Sequence, residues 1–353
     1  MFYRIFPDHS RQPVTLHNHF AGPTQTACWI IGGGPSLAQL PISEIVHSPA
    51  PRFAINLAGS GLLRPTFWTS YDPTVRFHKS IYLDASILKF VHACRAMDLI
   101  PETTFKVCEA PNLVCFDRAR QRGFFNFLAP SASQVQLPGD LQQASAPGVT
   151  DWQDSLIQAI DICWQLGFRR VYLAGCDMQI QPSPQLLQLG DEFRCEYQPR
   201  EPLGRFLQRL RAAGCPKDQI EQSDMPGQYH FDESKSFGAA IQTDDHYYRV
   251  SQYLRLSRRA MALAGLELIS VTPHSRLNDY FPFVTADQAL ADIHSYVGNP
   301  ALESARGRYT SSDSRHPAHL IPMRDYKPHN WPETTRQQNH REVPEENIPL
   351  EQG

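Results

Sequence analysis

The sequence predicts an α/β fold with a mainly parallel sheet and helices on both faces, and three observations carry that prediction. A short apolar run, Cys28-Trp29-Ile30-Ile31, is followed at once by Gly32-Gly33-Gly34 and Pro35: a strand, a tight turn and a helix start. Ser155 to Leu166 carries apolar residues at helical spacing, stops at Gly167, and feeds through Phe168-Arg169-Arg170 into the apolar strand Val171 to Gly175. The same helix–glycine–strand unit recurs over Val250 to Gly265 and Leu266 to Val271. Helices that each return the chain to start another strand call for parallel pairing.

Composition bounds the rest. A chain of 353 residues holds at most two domains, or one with a long appendage. With 41% hydrophobic residues, 20% charged residues and a formal net charge of −3, it has no basic excess for nucleic acid or an anionic membrane. The 29 prolines gather outside the periodic segments and point to long loops and an irregular tail. Eight cysteines form no C-x-x-C pair, which excludes the usual zinc pattern, and several sit in apolar runs as small hydrophobes. Met1-Phe2-Tyr3-Arg4 does not open a signal peptide, and no apolar run reaches about 18 residues, so the expected location is cytoplasmic.

In chain order, residues 1–26 lack a clear period and read as an N-terminal arm. The compact part starts near Ala27. After the glycine turn come a helix around Pro41 to Val46 and the strand Arg52 to Leu57, which contains Asn56. A further strand, Thr66 to Ser70, ends on Tyr71-Asp72-Pro73. In a parallel sheet the carboxyl ends of strands line the ligand crevice, so Asn56, Ser70 and Asp72 are expected where the glycine turn opens, with Asp72 equally readable as an Asp-Pro turn starter. Ile81 to Met97 has near-helical apolar spacing, and Thr104 to Val107 and Leu113 to Phe116 read as short strands. Residues 129–149 read as a loop, 179–245 as an insertion or lid, Asp287 to Ile293 as a closing helix, and 299–353 as an irregular or disordered tail. The main domain therefore spans 27–298.

The glycine turn carries the first chemical hint. Glycines at a strand end let an anion approach free N–H groups, and the helix start after them favours negative charge. Gly32, Gly33, Gly34, Pro35 and Ser36 thus form a candidate phosphate-binding turn, against the alternative of a turn that only packs helix on sheet. It is neither a dinucleotide fingerprint, since Leu37 stands at the third-glycine position, nor a P-loop, since no Gly-Lys-Ser/Thr follows.

Gly-Gly-Gly-Pro-Ser-Leu at 32–37, Ala54-Ile55-Asn56, the helix–strand of Ala159 to Gly175 with Gly175-Cys176-Asp177, and Thr272-Pro273-His274-Ser275-Arg276-Leu277 occur in an order that resembles the MptE-like family. That family comprises 6-hydroxymethylpterin diphosphokinases and motility accessory factors, and it is similar to the bacterial lipooligosaccharide sialyltransferases. The resemblance covers roughly residues 27–295 and implies a Rossmann-like nucleotide-binding domain. It implies that the glycine turn and Asn56 meet the nucleotide, Ser155 the donor carboxylate, and that Gly175 and Asp177 border the cytidine. It further implies a histidine base before the last helix, where His246 stands, with His230 as its rival beside Asp232 and Glu233. Ser275 is a candidate contact to base or phosphate, whereas His274 reads as a turn cap and Arg276 as a phosphate partner or a solvated cation. The sequence departs from the sialyltransferases after Asp177, where Met178-Gln179-Ile180-Gln181 stands in place of phosphate-holding tyrosines; Tyr247 or Tyr248 are the substitutes available.

Three readings stay open. The first is a glycosyltransferase that moves a sugar, such as an acidic nonulosonic sugar, from a CMP-linked donor to a glycan, protein or other small acceptor, with no tightly bound cofactor or metal. The second is Mg²⁺-dependent diphosphate transfer from ATP to a hydroxymethylpterin, with Asp72 and Asp177 as metal-binding carboxylates. The third is a non-catalytic binding or assembly protein on a nucleotide-sugar fold. Acceptor and oligomeric state are not encoded in any motif.

Overall fold

The structure is a computed structural model, and it describes residues 2–20, 26–119, 123–128, 148–223, 227–228 and 234–296. The strands are β1 (Phe2–Ile5), β2 (Arg11–Val14), β3 (Ala27–Ile31), β4 (Arg52–Ile55), β5 (Phe67–Thr69), β6 (Leu88–His92), β7 (Leu113–Phe116) and β8 (Arg170–Ala174). The two-residue strands β9 (Gly227–Gln228) and β10 (Ser234–Lys235) pair only with each other, and β11 (Glu267–Ser270) is the last. The helices are α1 (Ile42–His47), α2 (Lys79–Leu83), α3 (Ser155–Leu166), α4 (Pro184–Glu192), α5 (Leu203–Ala212), α6 (Lys217–Gln222), α7 (Phe237–Leu263) and α8 (Ala286–Tyr296).

Nine strands form one sheet in the order β11-β8-β3-β4-β5-β6-β7-β1-β2, parallel from β11 to β7 and antiparallel at β1 and β2. This is the α/β, Rossmann-like architecture that the helix–strand repeats predict. β3 lies inside the sheet and all five of its residues are buried. Its alternation sends Trp29 and Ile31 into the apolar layer that holds Tyr172 and Trp68, and Cys28 and Ile30 into the opposite layer with Phe53, Phe67 and α3. Trp29 satisfies its indole N–H on Ser48 Oγ at 2.9 Å, so the buried ring leaves no unpaired donor. α3 is capped by Asp154 and ended by Gly167, whose φ of 105° only glycine adopts readily.

Three local expectations differ from the structure. The periodicity over Ile81 to Met97 predicts one helix, but the chain turns at Asp84-Ala85-Ser86 and continues as β6, since an apolar run such as Ile87 to Val91 fits a buried strand as well as a helix. Thr104 to Val107 has only one bridge, Lys106 to Leu99, and leads into a single 3-10 turn. The N-terminal stretch read as an arm supplies β1, which pairs with β7, and β2, which pairs with β1 and becomes the sheet edge. The segments 129–147 and 299–353, read as loop and tail, lie outside the described residues.

Residues 179–245, read as an insertion, build α4, α5, α6 and the first two turns of α7. Ile180, Leu186, Leu203, Phe206 and Leu210 form an apolar cluster of their own beside the sheet. One buried ion pair ties it to the main body: Asp244 of α7 receives the backbone N–H of Ile180 and Leu203, and Arg276 meets both its oxygens at 3.1 and 3.2 Å. Arg276 also donates to the carbonyls of Met178, Arg200 and Glu201. Its expected role as a phosphate partner or solvated cation gives way to this one, since the residue is 1% exposed.

Candidate functional site

The carboxyl ends of β3, β4, β5 and β8 open onto a cavity of about 460 Å³, in the size range of small-molecule sites. Its floor is the glycine turn. Gly32 donates its N–H to Ala174 O at 2.7 Å and Gly34 donates to Gly175 O at 2.8 Å, so the turn after β3 is laced to the turn after β8. A Cβ on Gly34 would stand 1.9 Å from Asp177 Oδ2 and one on Gly32 would stand 2.5 Å from Gly175 O. Space, not backbone angle, fixes glycine at 34, whose φ of −67° suits any residue.

The phosphate reading of this turn is thereby corrected in part. Two of its three N–H groups are spent within the protein. The start of the following 3-10 turn is occupied by the protein's own anion: Ser36 donates through its hydroxyl at 2.7 Å and through its backbone N–H to the Asp177 carboxylate. Burial pushes the Asp177 carboxyl up, with the Ser36 bonds opposing that shift. Gly33 alone keeps its N–H for a ligand, while Asp177 presents an acceptor, suited to a ribose hydroxyl or an exocyclic amine.

Asn56, one residue beyond β4, has a left-handed φ of 53°, which asparagine tolerates better than most residues. Its Oδ1 accepts the hydroxyls of Ser70 at 2.6 Å and Ser155 at 2.9 Å. With that oxygen filled from behind, the amide Nδ2 is the end left to face the cavity, as a donor pair. Ser155 in turn accepts the Tyr71 N–H at 2.9 Å, and Ser70 accepts the Asp72 N–H at 2.9 Å. The Asp72 carboxylate pairs with Arg76 at 2.8 Å. Both predicted metal-binding carboxylates are thus engaged, Asp72 by Arg76 and Asp177 by Ser36. Among the described residues, no three His, Cys, Asp or Glu side chains are grouped to hold a metal ion.

The cavity wall opposite is α7, which presents Gln242, Thr243, His246 and Tyr247 at the i, i+1, i+4, i+5 spacing of one helical face. His246 Nε2 lies 3.0 Å from Asp154 Oδ2. The other Asp154 oxygen caps α3, accepting the N–H groups of Leu156 at 2.8 Å and Ile157 at 3.1 Å. The cap fixes the carboxylate, the carboxylate fixes the ring, and Nδ1 is left to carry the lone pair.

Of the residues singled out in the sequence, the fold brings Gly32, Gly33, Gly34, Asn56, Asp72, Ser155, Gly175, Asp177 and His246 to this one cavity. Pro35, Ser36 and Ser70 stand behind the lining, the two serines holding Asp177 and Asn56. Ser275 is not a ligand contact: it is fully buried, donates to Cys176 O at 2.6 Å and caps Leu277 N–H. Of the two candidate tyrosines, Tyr247 lines the cavity, whereas Tyr248 lies against the Arg276 guanidinium, 5.6 Å from ring centre to guanidinium carbon. His230 lies outside the described residues. Sequence reasoning missed Asp154, Tyr71, Arg76, Gln153 and Gln242; only Asp154 left a signal, as the capping residue ahead of Ser155.

No protein-family model matches the chain, and no curated protein does. Among solved structures it is similar to the sialyltransferase CST-II in complex with CMP, at 12% identity over 73% of this chain and 86% of that one, with a TM-score of 0.31. No helix among the described residues is long and apolar enough to cross a membrane.

Proposed function

We propose that the protein is a glycosyltransferase that moves a sugar, of the acidic nonulosonic kind, from a CMP-linked donor to a hydroxyl acceptor. The observation that carries this reading is the His246–Asp154 pair poised over the crevice that holds the glycine turn and Asn56. In that reading the acceptor oxygen bonds the anomeric carbon while the bond from that carbon to the phosphate oxygen breaks. CMP departs with the electron pair, and the acceptor proton passes to His246 Nδ1. Asn56 Nδ2 is the donor we assign to the departing phosphate. Asp177 and Gly175 border the nucleoside.

The test is calorimetric titration with CMP and with a non-hydrolysable ATP analogue, each with Mg²⁺ and with EDTA, on the parent chain and on His246→Ala. CMP binding that survives EDTA and survives His246→Ala, together with loss of turnover in that variant, is the expected result. Binding of the ATP analogue only with Mg²⁺ would turn the reading to diphosphate transfer. Silence from both nucleotides would leave a non-catalytic binding or assembly protein.

A further inference from the structure

A second cavity, of about 500 Å³, adjoins the first, and Gln153 and His246 line both. It opens between the start of α3 and the side of α7, and its own walls carry Arg118, Asp151, Trp152 and Arg249. Trp152 and Gln153 adopt left-handed φ angles of 42° and 59°, an arrangement that non-glycine residues seldom take twice in succession. The turn they make sets the Trp152 indole against the Tyr253 ring, with centroids 4.9 Å apart and planes 25° from parallel, yet leaves 43% of the residue exposed. One indole face is thus backed by an aromatic ring, and an exposed aromatic surface remains at the cavity. Such a surface suits the flat, apolar side of a pyranose ring.

The charges of this cavity do not cancel. Arg118 spends its guanidinium on Asp151, with Nε to Oδ2 at 2.5 Å and Nη2 to Oδ1 at 2.7 Å. Arg249, exposed on α7, has neither a carboxylate nor a hydrogen-bond partner among the described residues. One uncompensated guanidinium beside an indole surface recognises a ring that bears an anion.

We infer that the second cavity is the acceptor subsite and that its occupant is an anionic saccharide, a pyranose carrying a carboxylate or a phosphate that meets Arg249 while its ring lies on Trp152. This assignment rests on the reading of the first cavity as a donor site. It accounts for the position of His246 between the two: a base must reach the acceptor hydroxyl from the wall the two substrates share. The occupant's hydroxyl oxygen forms the new bond to the donor's anomeric carbon, CMP leaves with the electron pair, and the proton goes to His246 Nδ1.

Saturation-transfer NMR on the full chain, with and without saturating CMP, tests this with digalacturonate, glucose 6-phosphate and lactose as probes. Transfer to one or both anionic sugars, but not to lactose, undiminished by CMP, is expected; the uronate and phosphate arms identify which anion is read. Arg249→Gln, on an exposed helix face, should weaken that binding about tenfold. Trp152→Gly, which removes the ring while accepting the left-handed backbone, should abolish it. Both variants should keep the parent's CMP affinity. Lactose binding as well as the anions, or indifference to Arg249→Gln, overturns the anion assignment. CMP binding with no transfer to any sugar overturns the subsite. Anionic-sugar binding sensitive to both variants, in a chain that ignores CMP, supports the saccharide site and overturns only the donor reading.

Discussion

Asp154→Asn separates the two tasks of one carboxylate. Asp154 Oδ1 caps α3 through Leu156 and Ile157, and Oδ2 receives His246 Nε2 at 3.0 Å. Asparagine caps a helix about as well as aspartate, so its carbonyl oxygen keeps the Oδ1 position and its amide takes the place of Oδ2. The amide donates where the carboxylate accepted. His246 must then turn its Nε2 lone pair to that amide, and the proton moves to Nδ1, the atom that has to act as base. A general base contributes about 10²–10⁴-fold, so turnover should fall by that factor, equivalent to about 3–5 kcal/mol in the barrier. Stability should stay within about 0.5 kcal/mol of the parent and CMP affinity should not move. Steady-state CMP release from a CMP-linked nonulosonic acid, beside urea unfolding and CMP titration, reads all three quantities. Turnover within threefold of the parent in a folded, CMP-binding variant would remove His246 from the reaction.

Three further outcomes follow from the same geometry. Gly34→Ala places a methyl group 1.9 Å from Asp177 Oδ2, so it should displace that carboxylate and abolish CMP binding in calorimetry, while Gly238→Ala, whose added Cβ meets nothing within 4 Å, should be neutral or stabilise by about 0.5 kcal/mol. Asp177 has a raised carboxyl pKa, so in the parent its stabilising contribution is full below the unfolded value of 3.8 and is lost as pH rises through the folded value. Asp177→Asn keeps an oxygen for Ser36, and urea unfolding should therefore find it more stable than the parent at pH 7, with the gain gone below pH 3.8. Arg276→Met strands the buried Asp244 carboxylate without its cation and should cost about 3–5 kcal/mol in urea unfolding, with the 179–245 segment opening first in hydrogen exchange.

What the sequence made legible was what depends on neighbours along the chain. The glycine stops at Gly167 and Gly265, the strand of β3 and the long helix α3 all write themselves in period and punctuation. The rule that parallel strands end at the crevice placed Asn56, Ser70 and Asp72 beside the glycine turn, while Ser155 and Asp177 were implied only by the family resemblance. Partner identity was not legible. Asp154 could be read as a cap, but its second oxygen meets His246 across 92 residues. Ser275 and Arg276 looked like ligand contacts because a polar strand end looks the same whether it faces solvent or a buried carboxylate 32 residues away. β6 was hidden inside a run whose spacing fits two periods, and only pairing with β5 and β7 decides between them.

The glycine turn is the instructive case, because its sequence signal and its structural use differ. A Gly-rich turn ahead of a helical start predicts exposed N–H groups and an anion. Here the anion is internal: Asp177 fills the position, Ser36 holds it, and the glycines serve to let two strand ends approach within hydrogen-bond distance. A donor phosphate placed against this turn would meet the Asp177 side chain that Ser36 already holds, so the proposed function sets the phosphate away from it. The Asp177 side of the cavity presents a hydrogen-bond acceptor, which under the proposed function would meet the nucleoside. Asn56, whose Oδ1 is filled by Ser70 and Ser155, turns its donor end to the same cavity, and under the proposed function the phosphate would lie there. His246 stands at the wall shared with the second cavity, where, in the proposed reaction, the donor's anomeric carbon would meet the hydroxyl to be deprotonated. Under the proposed function, the order nucleoside, phosphate, base, acceptor follows from which hydrogen-bonding groups the fold has already spent and which it presents to the two cavities.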